Sequence, residues 1–337
     1  MTLKKRRIGK TQLTVCELGL GGAPLGGNFA DLSQSDGLAV VDAAFRSGID
    51  FVDTAPFYGF GRSERAVGDA LRGRDYTLSS KVGRLLAPGH HPNPTELGMT
   101  DPLPFHPVYD YSYDGVMRSF EDSLQRLGLG RIDILLAHDI GEMQHGIEKN
   151  AHYFNQLETG GYKAMDELRK HGHVKAIGLG VNENEVCRDA LKIGDWDTFL
   201  LAGRYTLLEQ TPLDDLIPEC EDKGVTLIIG GPFNSGVLVG REMWNYAKAP
   251  KDVVDRVKKM GNICEDHQVE LPVAALQFPL AHSVVSAIIP GARSPDELNG
   301  ILNWATQSTP KSLWSDLASE GLIHADAPLP DGSPIIS

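Results

Sequence analysis

The sequence predicts one α/β domain, a closed (β/α)8 TIM barrel with an N-terminal β-hairpin and long loops over the carboxyl-terminal mouth. Three observations predict it. From Ser33 onward, short apolar runs alternate with amphipathic helical segments. The alternation yields eight strand–helix units, the number that closes a barrel. No linker or shift in composition divides the 337 residues, so the units share one sheet. An open doubly wound sheet is the structural alternative.

The elements follow in order. Residues 3–8 and 13–16 read as a hairpin across Gly9-Lys10-Thr11-Gln12. Lys4-Lys5-Arg6-Arg7 is then an exposed end of that hairpin rather than a localisation signal. Residues 15–20 read as the first barrel strand. The stretch 18–27 is rich in glycine, but it is not a dinucleotide fingerprint: the spacing is not G-x-G-x-x-G, Pro24 interrupts it, and no helix follows at once. Glycines here let a strand end approach a ligand or a backbone closely. Residues 37–47 form a helix, and Ile49-Asp50-Phe51-Val52 a buried strand that ends at Asp53. Ser63 caps a helix over 64–72. Residues 76–81 form a strand ending in Ser79-Ser80-Lys81. Residues 86–108, rich in Pro, His and Gly, show no period and read as a lid-like loop.

Tyr113–Leu127 carries Val116, Phe120, Leu124 and Leu127 on one helical face. Residues 132–137 form a strand ending at His138, and 139–154 a second loop. The rhythm continues with helix Tyr162–Lys170, strand 174–178, helix 183–193, strand Thr198–Ala202, helix 213–223 and strand 225–229. Helices 251–267 and 272–280, strand 284–288 and helix Pro295–Ala305 complete it. The tail, 308–337, with Leu313-Trp314 and Leu322-Ile323, folds back on the barrel, either lining the substrate pocket or only covering it. The whole chain, 1–337, is expected to be a single domain.

Composition excludes several classes. Hydrophobic residues make up 41%, enough for a full core. A net charge of −13 argues against nucleic-acid and anionic-membrane partners. No run reaches the ~18 apolar residues of a membrane span. Residues 1–9 lack an apolar signal core, which points to the cytoplasm. The four cysteines are far apart and lack metal-ligand spacing. His90, His91 and His106 read as solvated loop residues without a matching ligand set, so no metal is expected. Trp196, Trp244, Trp304 and Trp314 read as packing residues.

In a barrel all strand carboxyl ends meet at one mouth. Asp53, Lys81 and His138 each stand there, and Tyr58 lies just beyond Asp53 in Asp53-Thr54-Ala55-Pro56-Phe57-Tyr58-Gly59. The set is chemically coherent. Tyr58 is an acid or base whose pKa Lys81 would lower, Asp53 holds Lys81, and His138 orients the reacting oxygen.

These residues resemble the aldo-keto reductase family. The likeness rests on Asp-Thr-Ala-x-x-Tyr-Gly with Ser63-Glu64, on Ser80-Lys81, on Leu135-Leu136-Ala137-His138, and on Ile289-Pro290-Gly291-Ala292-Arg293. The resemblance implies that Asp53, Tyr58, Lys81 and His138 are the catalytic tetrad. It implies a nicotinamide dinucleotide held by Asn182, with help from Tyr205, and by a pyrophosphate loop that includes Pro232, Phe233, Asn234, Ser235, Gly236 and Leu238. Gly291, Ala292, Arg293 and Glu297 would hold the adenosine end. Relatives that prefer NADP carry a lysine and an arginine where this chain has Gly291 and Glu297. Glu297 would repel a 2′-phosphate but accept a 2′-hydroxyl, so NAD is the expected cofactor, with NADP possible.

Asp110-Tyr111-Ser112-Tyr113-Asp114-Gly115-Val116 and Ala202-Gly203-Arg204-Tyr205-Thr206-Leu207-Leu208 resemble the branch of aldose 1-dehydrogenases and pyridoxal 4-dehydrogenase. That implies oxidation of a cyclic hemiacetal to a lactone. The substrate would be L-fucose, L-galactose or D-arabinose, or alternatively pyridoxal, with Phe57 and Asp139 facing it. Other readings are an NADPH-dependent carbonyl reductase and a nucleotide-sensing barrel without turnover. A monomer or weak homodimer is expected.

Overall fold

The computed structural model describes residues 3–28 and 32–337. The expectation for residues 1–9 falls partly on Met1 and Thr2, outside the described residues. Strands β1 (Lys5–Arg7) and β2 (Thr14–Cys16) pair antiparallel as the expected hairpin. The first barrel strand, β3, is Leu20–Gly21 rather than 15–20. Val15 and Cys16 stay in β2 because the ladder continues through Glu17, whose N–H donates to Lys4 O at 2.9 Å.

Helix α1 (Gln34–Arg46) leads into β4 (Phe51–Asp53), then α2 (Arg62–Leu71) and β5 (Thr77–Val82). Ser63 does not cap α2. The N-cap is Gly61 at φ 95°, and Ser63 sits inside the first turn. Residues 86–108 are not a free loop. Strands β6 (Arg84–Pro88) and β7 (Phe105–Tyr109) form an antiparallel ribbon. Pro88 and Pro107 hid its pattern, and both are tolerated because a two-stranded ribbon is all edge.

After α3 (Tyr113–Leu127) and β8 (Ile134–His138), the expected second loop is instead helix α4 (Glu142–Gln156). It runs through a π-helical turn, Leu157–Gly161, into α5 (Tyr162–Lys170). No residue of α4 is buried, so no apolar stripe announced it, and Gly146 at φ 69° breaks its regularity. The remaining units are β9 (Ala176–Val181), α6 (Glu185–Ile193), β10 (Thr198–Ala202), α7 (Leu216–Lys223) and β11 (Thr226–Gly230). The ribbon β12 (Met243–Trp244) with β13 (Ala247–Lys248) precedes α8 (Lys251–Asp266), α9 (Leu271–Leu280), β14 (Val285–Ile289), α10 (Pro295–Ala305) and α11 (Lys311–Ser319).

Among the described residues, β3, β4, β5, β8, β9, β10, β11 and β14 form one 8-stranded sheet in that order. Every neighbouring pair is parallel. Parallel bridges from Leu18 to Ile288 and from Gly21 to Gly291 close it into a barrel. Phe51, Ile134, Leu136, Ala176, Leu200, Ile228, Ala287 and Ile289 fill the interior, and Ile8, Leu13 and Val15 of the hairpin pack with them. The hairpin is tied down by Arg6, which donates to the carbonyls of Leu280, His282 and Val285 and pairs with Glu17. A second, larger core lies between sheet and helices. In the tail, Leu313, Trp314 and Leu317 are buried, and Ile335 N–H donates to Ala305 O at 2.9 Å. No helix among the described residues is long and apolar enough to cross a membrane.

Candidate active site

Parallel strands place their carboxyl ends at one mouth. Asp53 closes β4, Lys81 is the penultimate residue of β5, and His138 closes β8. Tyr58 begins a tight turn just beyond β4. Lys81 Nζ donates to Asp53 Oδ2 at 2.7 Å and to Thr54 O at 2.9 Å. Ser79 Oγ donates to Asp53 Oδ1 at 2.6 Å. The lysine and aspartate side chains are 1% and 3% exposed, so water does not compete for the pair. Lys81 Nζ lies 5.0 Å from the centre of the Tyr58 ring, and the Tyr58 and His138 rings meet edge to face at 5.8 Å. All four residues converge.

The flanking motif residues hold this arrangement. Ser63 Oγ donates to Gly22 O at 2.7 Å and lies 2.8 Å from Thr54 Oγ1. Glu64 accepts from Ser80 Oγ at 3.0 Å and from Arg126 Nε at 2.5 Å. The first turn of α2 thus fixes both Thr54 and the neighbour of Lys81. On the other side, a Cβ at Gly180 would meet Lys81 Cε at 3.0 Å, so glycine leaves the lysine stem its path.

Burial pushes the Tyr58 phenol well above its ordinary pKa; Asp53 and Asp139 push the same way, and Arg84 opposes them. Lys81, expected to lower it, is hydrogen-bonded to Asp53 and Thr54 O and is not among the charges that dominate the phenol's shift. Burial, then the charges of Arg84 and Lys81, hold His138 well below its ordinary value. The imidazole is therefore neutral and offers one N–H donor. Its Nδ1 is enclosed without a hydrogen-bond partner among the described residues, and Nε2 lies 3.6 Å from Asp139 Oδ2.

Arg84 escaped the sequence reading. It is 1% exposed, lies over the Phe57 ring at 4.1 Å, and pairs with Asp139. The available signal was a charge inside the apolar run Val82-Gly83-Arg84-Leu85-Leu86. Asp139 has φ 41°, donates its N–H to Gly180 O at 2.8 Å, and accepts from Asn182 Nδ2 at 3.2 Å. Asn182 Oδ1 in turn accepts from Tyr246 OH at 3.0 Å.

A cleft of about 610 Å³ runs from Asp53 and Tyr58 past Ala202 and Gly230 to Arg293, Glu297 and Trp304. Pro232, Phe233, Ser235, Gly236, Gly291, Arg293 and Glu297 line it. Other expected cofactor residues stand elsewhere. Tyr205 is buried against Phe278 and His282, away from the cleft, because its ring turns toward the outer helices. Leu238 and Ala292 are buried behind the lining. Asn234 latches the loop, accepting from Thr206 Oγ1 at 2.6 Å and donating to Gly203 O at 3.0 Å. No residue beyond Trp304 lines the cleft, so the described tail covers the barrel without entering this groove.

Glu297 is not a bare negative charge. Arg293 grips it through backbone N–H at 2.9 Å and Nε at 3.0 Å, and Arg241, a second residue the sequence reading missed, donates to it at 3.2 Å. Burial would raise the Glu297 carboxyl, but the hydrogen bonds from Arg293 outweigh it and hold the pKa below the ordinary value. The groove fits an extended dinucleotide. Its floor at Ala202 and Gly230 is small and apolar. Positive φ at Gly231, Asn234, Ser235 and Gly236 curls one wall around it, and two guanidiniums stand at the far end.

The sequence profile of the aldo/keto reductase family matches residues 17–319. The chain is 45% identical over 335 residues to the pyridoxal 4-dehydrogenase of Microbacterium luteolum, covering 95% of this chain and 98% of that protein. It is 33% identical over 323 residues to the D-threo-aldose 1-dehydrogenase of a Pseudomonas species, covering 92% and 95%. A solved aldo-keto reductase of Bacillus halodurans, in its holo form, matches with a TM-score of 0.75 at 23% identity, over 97% of this chain and 98% of that one. That last likeness is one of fold.

Proposed function

The chain belongs to the aldo/keto reductase family, and on that premise we propose that it oxidises a cyclic hemiacetal to a lactone with NAD as hydride acceptor. Members of this family are oxidoreductases that use a nicotinamide dinucleotide. The observation that carries the finer reading is Tyr58 set against a neutral His138 and beside the buried Lys81–Asp53 pair, at one end of a nucleotide-sized cleft.

When bound, the nicotinamide supplies a hydride acceptor. The chain's own residues manage the proton and the oxygen. Tyr58 Oη takes the proton of the hemiacetal hydroxyl, and His138 holds that oxygen by a hydrogen bond. Lys81 and Asp53 supply a fixed, matched charge pair behind the phenol. One C–H hydride and one O–H proton leave, and the carbon becomes the lactone carbonyl.

Pyridoxal, in its cyclic hemiacetal form, is the first substrate proposed. The 45% identity with a protein named for pyridoxal supports it. Aldoses of the L-fucose, L-galactose or D-arabinose kind come second, supported by the 33% identity with an aldose dehydrogenase. This reverses the order taken from the sequence. NAD over NADP is supported by Arg241 and Arg293. Both could hold a 2′-phosphate, yet both are engaged by Glu297, whose oxygens can still accept from a free 2′-hydroxyl.

The test follows absorbance of reduced cofactor with NAD or NADP and each of these substrates. NAD reduction with pyridoxal supports the full reading. Reduction only with a sugar keeps the mechanism and changes the substrate. A much lower Michaelis constant for NADP contradicts the cofactor assignment.

A further inference from the structure

We infer that Arg84 is a positioning residue that acts through Asp139, fixing that carboxylate beside His138 and Tyr58 and matching its charge so that proton transfer runs in a balanced setting. The inference rests on the reading of the cleft mouth as the site of hydride transfer. Arg84 opens β6, and the β6–β7 ribbon carries it inward until it is 1% exposed. Its guanidinium lies 4.1 Å from the Phe57 ring centre and 5.5 Å from that of Tyr109. Nη2 pairs with Asp139 Oδ2 and donates to Gln144 Oε1 at 3.1 Å. Nε and Nη1 make no hydrogen bond of good geometry among the described residues, and the Phe57 and Tyr109 rings flank the group. A buried arginine with unpaired donors is costly, and a fold that needed only packing there would place a neutral side chain.

Asp139 is the more accessible member of the pair, 18% exposed. Its Oδ2 faces both Arg84 and, at 3.6 Å, His138 Nε2, while Oδ1 is held by Asn182. The carboxylate therefore has one fixed orientation at the reacting centre. Nearby groups are paired or neutral, and Arg204 donates to Asn182 O at 2.7 Å and to Asn245 Oδ1 at 2.8 Å. Lys81 on β5 is matched by Asp53 on β4. His145 on α4, packed against Tyr109 and Tyr111, is pushed down to about 4 by burial and Arg84, and is neutral. Tyr111 donates to His138 O at 2.6 Å. Tyr246, between β12 and β13, bonds Asn182. Among the described residues, Arg84 is the cation paired with Asp139. Without it, Asp139 faces Tyr58 unmatched, the phenol binds its proton more tightly, and oxidation requires a higher pH.

The experiment measures kcat and KM for pyridoxal and for L-fucose with NAD, from neutral to alkaline pH, in the wild type, Arg84→Met, Arg84→Lys, Asp139→Asn and the double variant Arg84→Met/Asp139→Asn. NAD binding by fluorescence quenching is followed throughout. Arg84→Met should lose about 100-fold in kcat, at the low end of what acid–base groups contribute. Its alkaline rise in kcat/KM should move up by about one pH unit, with NAD affinity unchanged. Arg84→Lys should keep the position of the profile while KM rises about tenfold, because charge survives and the planar fork does not. The double variant should lose no more than the worse single. Additive losses, or an Arg84→Met profile that does not move, overturn the inference. If Arg84→Met does not fold, Arg84→Lys decides: a displaced profile or an unchanged KM overturns it. A wild type that binds NAD but oxidises neither substrate contradicts the functional reading, and this inference falls with it.

Discussion

At the residue scale, the phenol of Tyr58 sets the chemistry. Its pKa is raised by burial and by Asp53 and Asp139, so it keeps its proton to higher pH than an ordinary tyrosine. Reduction needs the phenol and oxidation the phenolate. Oxidation should therefore climb with pH from neutrality into the alkaline range, and reduction should hold until the phenol begins to ionise. A kcat/KM profile for oxidation that falls above neutrality would contradict this. At the other end of the cleft, Glu297→Gln weakens the grip on Arg241 and Arg293 and removes a negative charge. The ratio of KM for NADP to KM for NAD should drop by about tenfold or more, the scale of one charge-assisted hydrogen bond. That Asp53, Tyr58, Lys81 and His138 would meet was legible because each stands at or just past the carboxyl end of a strand. Arg84 and Arg241 were not, because their partners lie 55 and 56 positions away, and only the folded chain supplies those pairings. Tyr205 was misplaced because proximity to a strand end says nothing about which way a ring turns.

At the element scale, the closest approaches decide stability. In α2, a Cβ on Gly68 would stand 1.8 Å from Leu127 O at the end of α3. Gly68→Ala should destabilise by about 1–3 kcal/mol or more, read as a lower urea midpoint, since the two helices must separate. In α8, a Cβ on Gly261 meets nothing within 4 Å, so Gly261→Ala should stabilise by about 0.5–1 kcal/mol through helix propensity alone. Equal effects at the two sites would contradict the packing described. Tyr113–Leu127, Tyr162–Lys170, Thr198–Ala202 and Pro295–Ala305 lie where their sequence periodicity set them. The β6–β7 ribbon and α4 were invisible for opposite reasons. Prolines masked a period in the first, and in the second no residue is fully buried and only Tyr153 and Phe154 lean on the core, too few to mark an apolar period.

At the scale of the whole molecule, closure of the sheet makes the site. Isolated bridges at the ends of β3 and β14 bring Gly21 beside Gly291, and both line the cleft that ends at Tyr58. The tail lies apart from that groove. Trp314 is 1% exposed, and its Nε1 donates to Thr309 Oγ1 at 3.0 Å. Trp314→Ala should cost about 3–5 kcal/mol in stability while leaving NAD affinity unchanged, which thermal melts and fluorescence quenching would check together. The barrel itself was readable because a count of strand–helix units does not depend on side-chain contacts. The ligand and the direction of reaction depend on them throughout. The most direct test of the account is therefore single: turnover of pyridoxal with NAD by wild type and Tyr58→Phe, with NAD affinity measured on both. The expected result is turnover by the wild type, a loss of at least about 100-fold in kcat on removing the hydroxyl, and equal NAD affinity. A Tyr58→Phe protein with near-wild-type turnover would contradict it.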